Sequence, residues 1–306
     1  MRKLYALLLA AVLLLFGAPA GHAADNGSWS VYPATTKYGQ RPYFYLSADP
    51  GATLTDKVTV TNKTAEPLTF RLYAADAYNT ERDGGFAVRS ADEKQRSIGA
   101  WARTGRDKVT VPVTVTLPET AEPGDHPGAL VALDERIDPT DRGAVAVGIR
   151  KAVGARIYLR VNGPTMPALS VDDVAVEHTQ PLVPGTGKSR AVISYTLHNR
   201  GNVTLNPKVA LKAQGLFGRT LLARDLKRIP SELLPRQEVR LTEQWADAPQ
   251  LEWGEIELTA SARDTRESAA ARYVALPWLM AAVLLVIVGG GTGMWIRARR
   301  TRIRRA

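Results

Sequence analysis

Residues 43–63 read YFYLSADPGATLTDKVTVTNK. Two runs of alternating residues flank Pro50-Gly51. A period of two puts one side of an extended strand on a core and the other in water. The first run places Phe44, Leu46 and Ala48 inward and Tyr43 and Tyr45 outward. The second sets Leu54, Asp56, Val58 and Val60 against Thr55, Lys57 and Thr59. The Pro-Gly ends one strand and delivers the next.

The same alternation extends outward from this stretch. Leu68, Phe70, Leu72 and Ala74 alternate with Thr69, Arg71 and Tyr73, and Val109, Val111, Val113, Val115 and Leu117 with Lys108, Thr110, Thr114 and Thr116. Later come Ile193, Tyr195 and Leu197, then Val209, Leu211 and Ala213, then Ile256, Leu258 and Ala260. Each inward Val, Leu or Phe contributes ~1.5–3 kcal/mol, so these rows suffice for a core. No comparable 3.6-residue pattern appears before the C-terminal apolar run. Short strands broken by Gly, Pro, Asn and Asp predict an all-β chain. Gly163 to Ala168, GPTMPA, interrupts the strand pattern. The expectation is two immunoglobulin-like β-sandwich domains in series, 25–163 and 164–271. A local echo supports their kinship: VTVTNKTAEPLTFRL and ISYTLHNRGNVTLNPKVAL each run strand, Asn (Asn62, Asn199), polar turn, strand. An Asn side chain can bond its own turn backbone.

The ends predict topology. Arg2 and Lys3, an uncharged run from Leu4 to Phe16 and small residues at Ala20 to Ala24 have the layout of a signal peptide, 1–24. Tyr273 to Ile296 holds 24 residues without charge, roughly 36 Å of helix against a ~30 Å hydrocarbon layer. Trp278 and Trp295 stand near its ends, and six arginines follow in 297–306, among them Arg297, Arg299 and Arg300. Aromatic rings favour membrane interfaces, and arginine clusters stay cytoplasmic. The expectation is a single-pass cell-membrane protein with a transmembrane helix at 273–296, its bulk outside and a short tail inside.

The net charge of +10 follows from 40 basic and 30 acidic residues. Arg2, Lys3 and the six tail arginines account for 8 of the basic ones, leaving 32 against 30. The excess is therefore a membrane-orientation signal, and nucleic acid is not an expected partner.

Catalytic signatures are sparse. There is no cysteine, which removes thiol catalysis and thiolate metal sites. His126, His178 and His198 stand apart in PGDHPG, VEHTQ and TLHNRG, without metal-ligand spacing. Asp134–Glu135 and Asp172–Asp173 are strand neighbours whose side chains point to opposite faces. No GxSxG elbow or phosphate-binding Gly loop occurs. The expectation is a protein that is not an enzyme, with no catalytic residues, metal or cofactor. In the 79–84 loop, Asn79, Glu81, Asp83 and Gly84 fall at the first, third, fifth and sixth positions of a calcium loop. The twelfth position is Ser90, not Glu, and Asp83-Gly84-Gly85 also reads as an ordinary tight turn.

The outward tyrosines are the candidate ligand surface. Tyr43, Tyr45 and Tyr73 face out by parity, and Tyr78 is expected in the loop beyond. Such rings offer a flat apolar face with a polar tip, suited to sugar rings or a protein partner.

Tyr43-Phe44-x-Leu46, Pro50-Gly51, VTVTN ending at Asn62, Pro67-Leu68-Thr69, Asp76-Ala77 and a Gly-containing turn before Phe86 together resemble the WxL-interacting proteins of Gram-positive bacteria. The resemblance covers roughly Trp29 to Leu133, the family's peptidoglycan-binding domain, formerly a domain of unknown function. It implies a first domain that contacts peptidoglycan, a second that contacts host or partner proteins, and assembly with a WxL surface protein. Leu169 to Ala270 carries no motif of that family, and the chain has no W-x-L triplet. The expected function is a non-catalytic, membrane-anchored envelope-binding module. The alternative is an accessory subunit of a membrane transport or secretion complex, for which Gly289-x-x-x-Gly293 would serve as a helix-pairing face.

Overall fold

A computed structural model describes residues 24–104, 110–136, 138–142, 145–183 and 185–303. Apart from Ala24, the expected signal peptide lies outside the described residues, as do Arg304 and Arg305. The chain is mostly β, as its alternation predicts. It divides into two compact units. One comprises Met1–Asp76, Val88–Glu122 and His126–Asn162; the other comprises Ala77–Ala87, Pro123–Asp125 and Gly163–Ala306.

The first unit is built on two sheets. One has the order β1 (Trp29–Pro33), β3 (Thr53–Asn62), β7 (Thr110–Thr116), β6 (Ala102–Thr104). The other has the order β2 (Phe44–Ala48), β11 (Ala152–Val161), β8 (Gly124–Asp134), β4 (Phe70–Asn79), β5 (Phe86–Val88). A short helix α1 (Ile98–Trp101) precedes β6, and β9 (Asp138–Arg142) pairs with β10 (Val145–Ile149) as a separate hairpin. Trp29, Val31, Val58, Val111, Val113 and Val115 from the first sheet pack against Phe44, Leu130, Ile157 and Leu159 from the second. These are the inward rows of the alternation, and their joint burial makes the sandwich. Asp56 breaks the apolar row, and Arg41 compensates with a two-pronged ion pair, Nη1 to Oδ2 at 2.8 Å and Nη2 to Oδ1 at 2.7 Å.

In the second unit β12 (Leu169–Thr179), β13 (Arg190–Asn199) and β16 (Glu238–Ala246) form one sheet. The other runs β15 (Thr220–Asp225), β14 (Lys208–Gln214), β17 (Glu252–Ala262), β18 (Thr265–Ala275). Ile193, Tyr195 and Leu197 of β13 bury against Leu211 of β14 and Ile256 and Leu258 of β17. A bulge between Asp172 and Ala175, with Asp173 at φ +53°, shifts the β12 register. Simple parity therefore fails at that acidic pair. Asp172 engages Ser170 and Arg200, whereas Asp173 accepts from Thr196, so the two carboxylates form no dyad.

The asparagine echo is structural. The Asn62 amide donates to the Glu66 carbonyl at 2.8 Å, and its oxygen accepts the Thr64 N–H at 2.9 Å. The Asn199 amide likewise donates to the Val203 carbonyl at 2.8 Å, and its oxygen accepts the Gly201 N–H at 3.0 Å. Both sites close a turn with the same i+4 and i+2 bonds. Asn199 adds a bond to the Leu233 carbonyl at 2.9 Å and is fully buried.

The C-terminal helix α2 spans Trp278–Ile303. It starts five residues later than the uncharged run predicts, because Tyr273 to Ala275 complete β18. Tyr273 is buried against Trp245, ring centroids 5.8 Å apart, and Ala275 pairs with Glu252. Pro277 then sits just before the first helical residue, where a missing N–H and fixed φ fit a helix start. Leu284, Leu285, Val286 and Ile287 are exposed on α2. Among the described residues no helix is long and apolar enough to cross a membrane. The side chains of Trp278, Met280, Ala281 and Ile296 lie outside the described ones.

Candidate functional site

Strands β2 and β11 run parallel, with Phe44 opposite Ile157, Tyr45 opposite Tyr158 and Leu46 opposite Leu159. The register sends Phe44 and Ile157 into the core together and Tyr45 and Tyr158 out together. The outward rings stack, 5.5 Å between centroids and 13° between planes. Tyr43, just before β2, meets Tyr45 edge-on at 6.0 Å and Tyr158 edge-on at 5.6 Å. Arg156 lies two residues before Tyr158 on the same face. It donates to the Tyr158 hydroxyl at 3.1 Å, and its guanidinium carbon lies 5.9 Å from the Tyr43 ring centre. Tyr45 is 65% exposed, while Tyr43 and Tyr158 are half-buried beneath it.

This arrangement holds three rings in fixed mutual geometry with a cation and hydroxyls at the rim. Aromatic faces of this kind stack on flat apolar surfaces such as sugar rings, while the rim supplies directional hydrogen bonds. Tyr158 and Arg156 belong to it and were not among the residues singled out from sequence. Their signal was present: in ARIYLRV, Ile157, Leu159 and Val161 form one row and Arg156, Tyr158 and Arg160 the other.

The other two tyrosines lie elsewhere. Tyr73 is on β4, opposite Val131 of β8. Two strands separate β4 from β2, which is ~14 Å at the usual strand spacing. Tyr73 does leave the main core, but it packs on the cluster of Ala75, Ala129 and Val131, and burial pushes its hydroxyl pKa up. Tyr78 is not in a loop: β4 continues to Asn79, and Tyr78 is half-buried within it.

The 79–84 loop is a self-satisfied turn. The Asn79 amide donates to the carbonyls of Gly84 and Glu232, each at 2.7 Å, and its oxygen accepts the Leu234 N–H at 2.8 Å. Asp83 accepts from the Thr80 hydroxyl and from the Gly85 N–H at 3.0 Å. These bonds hold its carboxyl pKa below the usual range, the Thr80 bond most. Two of the oxygens that a calcium ion would need are thus engaged, the Asn79 oxygen by the Leu234 N–H and the Asp83 carboxylate by Thr80 and Gly85. Among the described residues no group of three or more His, Cys, Asp or Glu is placed to hold a metal.

His126 has a partner the sequence did not reveal. Its Nδ1 lies 2.7 Å from the Ser97 hydroxyl and its Nε2 2.8 Å from the Glu122 carbonyl. A carbonyl only accepts, so Nε2 carries the proton and Ser97 donates to Nδ1. Ser97 stands at the start of α1, where backbone N–H groups could stabilise an oxyanion. There the buried Asp76 carboxylate accepts the N–H groups of Arg96, Ser97 and Gly99. The dyad therefore has no acid behind the imidazole, and the nearby donors are engaged. It reads as a clamp on the α1 turn, packed under Trp101 at 4.8 Å.

Of the membrane-end residues, Trp295 and Arg297 are exposed on α2, and the side chains of Trp278, Arg299 and Arg300 lie outside the described ones.

No family model matches the chain, and no curated protein sequence does. Among solved structures it is similar to a chain of a chaperone–tip adhesin complex of CFA/I fimbriae biogenesis. The identity is 10% and the TM-score 0.34, over 81% of this chain and 98% of that one. A likeness of that size carries no argument about function.

Proposed function

We propose that this chain is a non-catalytic envelope-binding protein whose first unit contacts peptidoglycan through the Tyr43–Tyr45–Tyr158 face. One observation carries the reading: three tyrosines, locked by the β2–β11 register and braced by Arg156, face away from the core of their sandwich. A nearly neutral ectodomain gains little from charge, and ring stacking on sugar faces does not require it. The resemblance to the WxL-interacting family supports the same ligand and adds a surface protein of WxL type as partner. The second unit's seven strands in sheets of three and four fit an immunoglobulin-like sandwich. In this reading α2 crosses the cell membrane, supported by the uncharged run through Ile296, the exposed Leu, Val and Ile side chains and the arginines after it. Anchoring keeps the protein beside its ligand, so modest affinity suffices.

The test is sedimentation of the purified protein with isolated sacculi. Tyr45→Ala and Tyr158→Ala should each lose binding while keeping the wild-type melting temperature. Retained binding in both variants would remove this face as the ligand surface, and failure of the wild type to sediment would remove peptidoglycan as the ligand.

A further inference from the structure

The second unit carries an apolar rim at one end of its four-stranded sheet. Phe217, Leu251, Trp253 and Val274 are all large, hydrophobic and exposed. Trp253 and Val274 are direct cross-strand neighbours on β17 and β18. The Gly215–Gly218 turn that carries Phe217 lines the same open depression of about 500 Å³ as Trp253 and Val274. Phe217 is fully exposed and held at φ +58°, a left-handed conformation that bulky residues rarely adopt. The protein fixes it there. Gly215 N–H donates to the Arg219 carbonyl at 2.8 Å, and Gly218 N–H to the Gly215 carbonyl at 3.1 Å. The buried Glu252 carboxylate accepts the Leu216 N–H at 2.9 Å and Arg219 Nη2 at 2.7 Å. A Cβ on Gly254 would lie 1.9 Å from the Gln214 carbonyl oxygen, so only glycine admits this close approach. A phenylalanine displayed in a strained turn, with its support buried, is an outlier that fold stability alone does not call for.

We propose that this rim is seated in the interfacial layer of the same bilayer that α2 crosses, so that the second unit rests on the membrane surface. The proposal depends on the reading of α2 as a membrane span. Its carrier is chain continuity. Val274 precedes the first helical residue, Trp278, by four positions, which an extended chain covers in at most ~14 Å. The headgroup layer on each side of the hydrocarbon is ~5–7 Å deep. The leash thus keeps Val274, and the rim it belongs to, within reach of the depth where tryptophan and phenylalanine rings are favoured. Of the carboxylates beside it, Glu252 is bonded to Arg219, and Glu255 stands opposite Arg272 in the strand register. The far end of the β17–β18 hairpin, at Asp264, is ten residues from Val274, or ~33 Å along a strand, and stays in water.

Because the chain has no cysteine, single labels can be placed cleanly. Full-length Phe217→Cys, Val274→Cys, Asp264→Cys and Leu284→Cys, each carrying an environment-sensitive fluorophore, are reconstituted into vesicles with doxyl-labelled lipid. Labels at 217 and 274 should shift to the blue, be quenched by the lipid doxyl group and resist aqueous iodide. The label at 264 should behave oppositely, and the label at 284 should be quenched by lipid. Iodide-accessible labels at 217 and 274 beside a lipid-quenched 284 would overturn the rim proposal and leave the span intact. Labels at 217 and 274 shielded from iodide but untouched by lipid would also overturn it, in favour of a second copy on the rim. If 284 is not lipid-quenched, the membrane reading falls and the proposal with it.

Discussion

Asn62 and Asn199 form a natural experiment, since one hydrogen-bonding geometry occurs in two environments. Replacing Asn199 with Ala strips partners from the Gly201 N–H and the Val203 carbonyl, both in buried residues. The Leu233 carbonyl keeps its bond from the Leu205 N–H at 3.0 Å, so it adds little to the loss. An unsatisfied buried group costs ~1–3 kcal/mol, so two such groups predict a loss of about 2–6 kcal/mol. For a domain of more than about 150 residues each 1 kcal/mol moves the melting temperature by ~2–4 °C, so the drop should be roughly 4–24 °C. Asn62→Ala removes the same pair of bonds where Thr64 and Glu66 are exposed. Water replaces them there, and the cost should stay near ~0.5 kcal/mol. The assay is urea unfolding of the purified full-length protein, with tryptophan fluorescence as readout and hydrogen exchange assigning each change to its unit. Equal losses in the two variants would refute the argument that burial makes the Asn199 bridge indispensable.

Tyr45→Ala should leave stability nearly unchanged, whereas Tyr73→Ala should lower the melting temperature by removing the cover of Ala75, Ala129 and Val131; thermal melts distinguish them. Burial lowers the His178 pKa. The unfolded state therefore binds more protons near pH 6.5, and stability should fall as pH drops through that region, an effect that His178→Gln removes. A second acid transition lies lower. Bonds from Leu216 and Arg219 hold the Glu252 carboxyl pKa below its ordinary value. Its contribution is present above the unfolded pKa and is lost as pH falls through the folded one. Glu252→Gln should abolish that step and raise hydrogen exchange in the 215–218 turn.

The strand alternation alone dictated an all-β chain, because a period of two admits one way of burying Phe44, Val58 and Val111 together, and Ile193, Tyr195 and Leu197 in a core of their own. It also placed Tyr43 and Tyr45 on the open side of their strand, and the paired asparagines marked two turns of one construction. Parity assigns a face but not a neighbour. Only the parallel β2–β11 register, joining residues more than a hundred positions apart, sets Tyr158 on Tyr45 and Arg156 under Tyr43. For the same reason Tyr73, outward by parity, is covered by residues of β8 that its own sequence neighbourhood does not contain. The uncharged run through Ile296 could not locate the helix start, because Tyr273 to Ala275 are as apolar as a helix requires, yet they have strand partners in β17. The calcium-loop spacing, too, was a property of the string alone. The Leu234 N–H that occupies the Asn79 oxygen comes from 155 residues away, and no local pattern announces it.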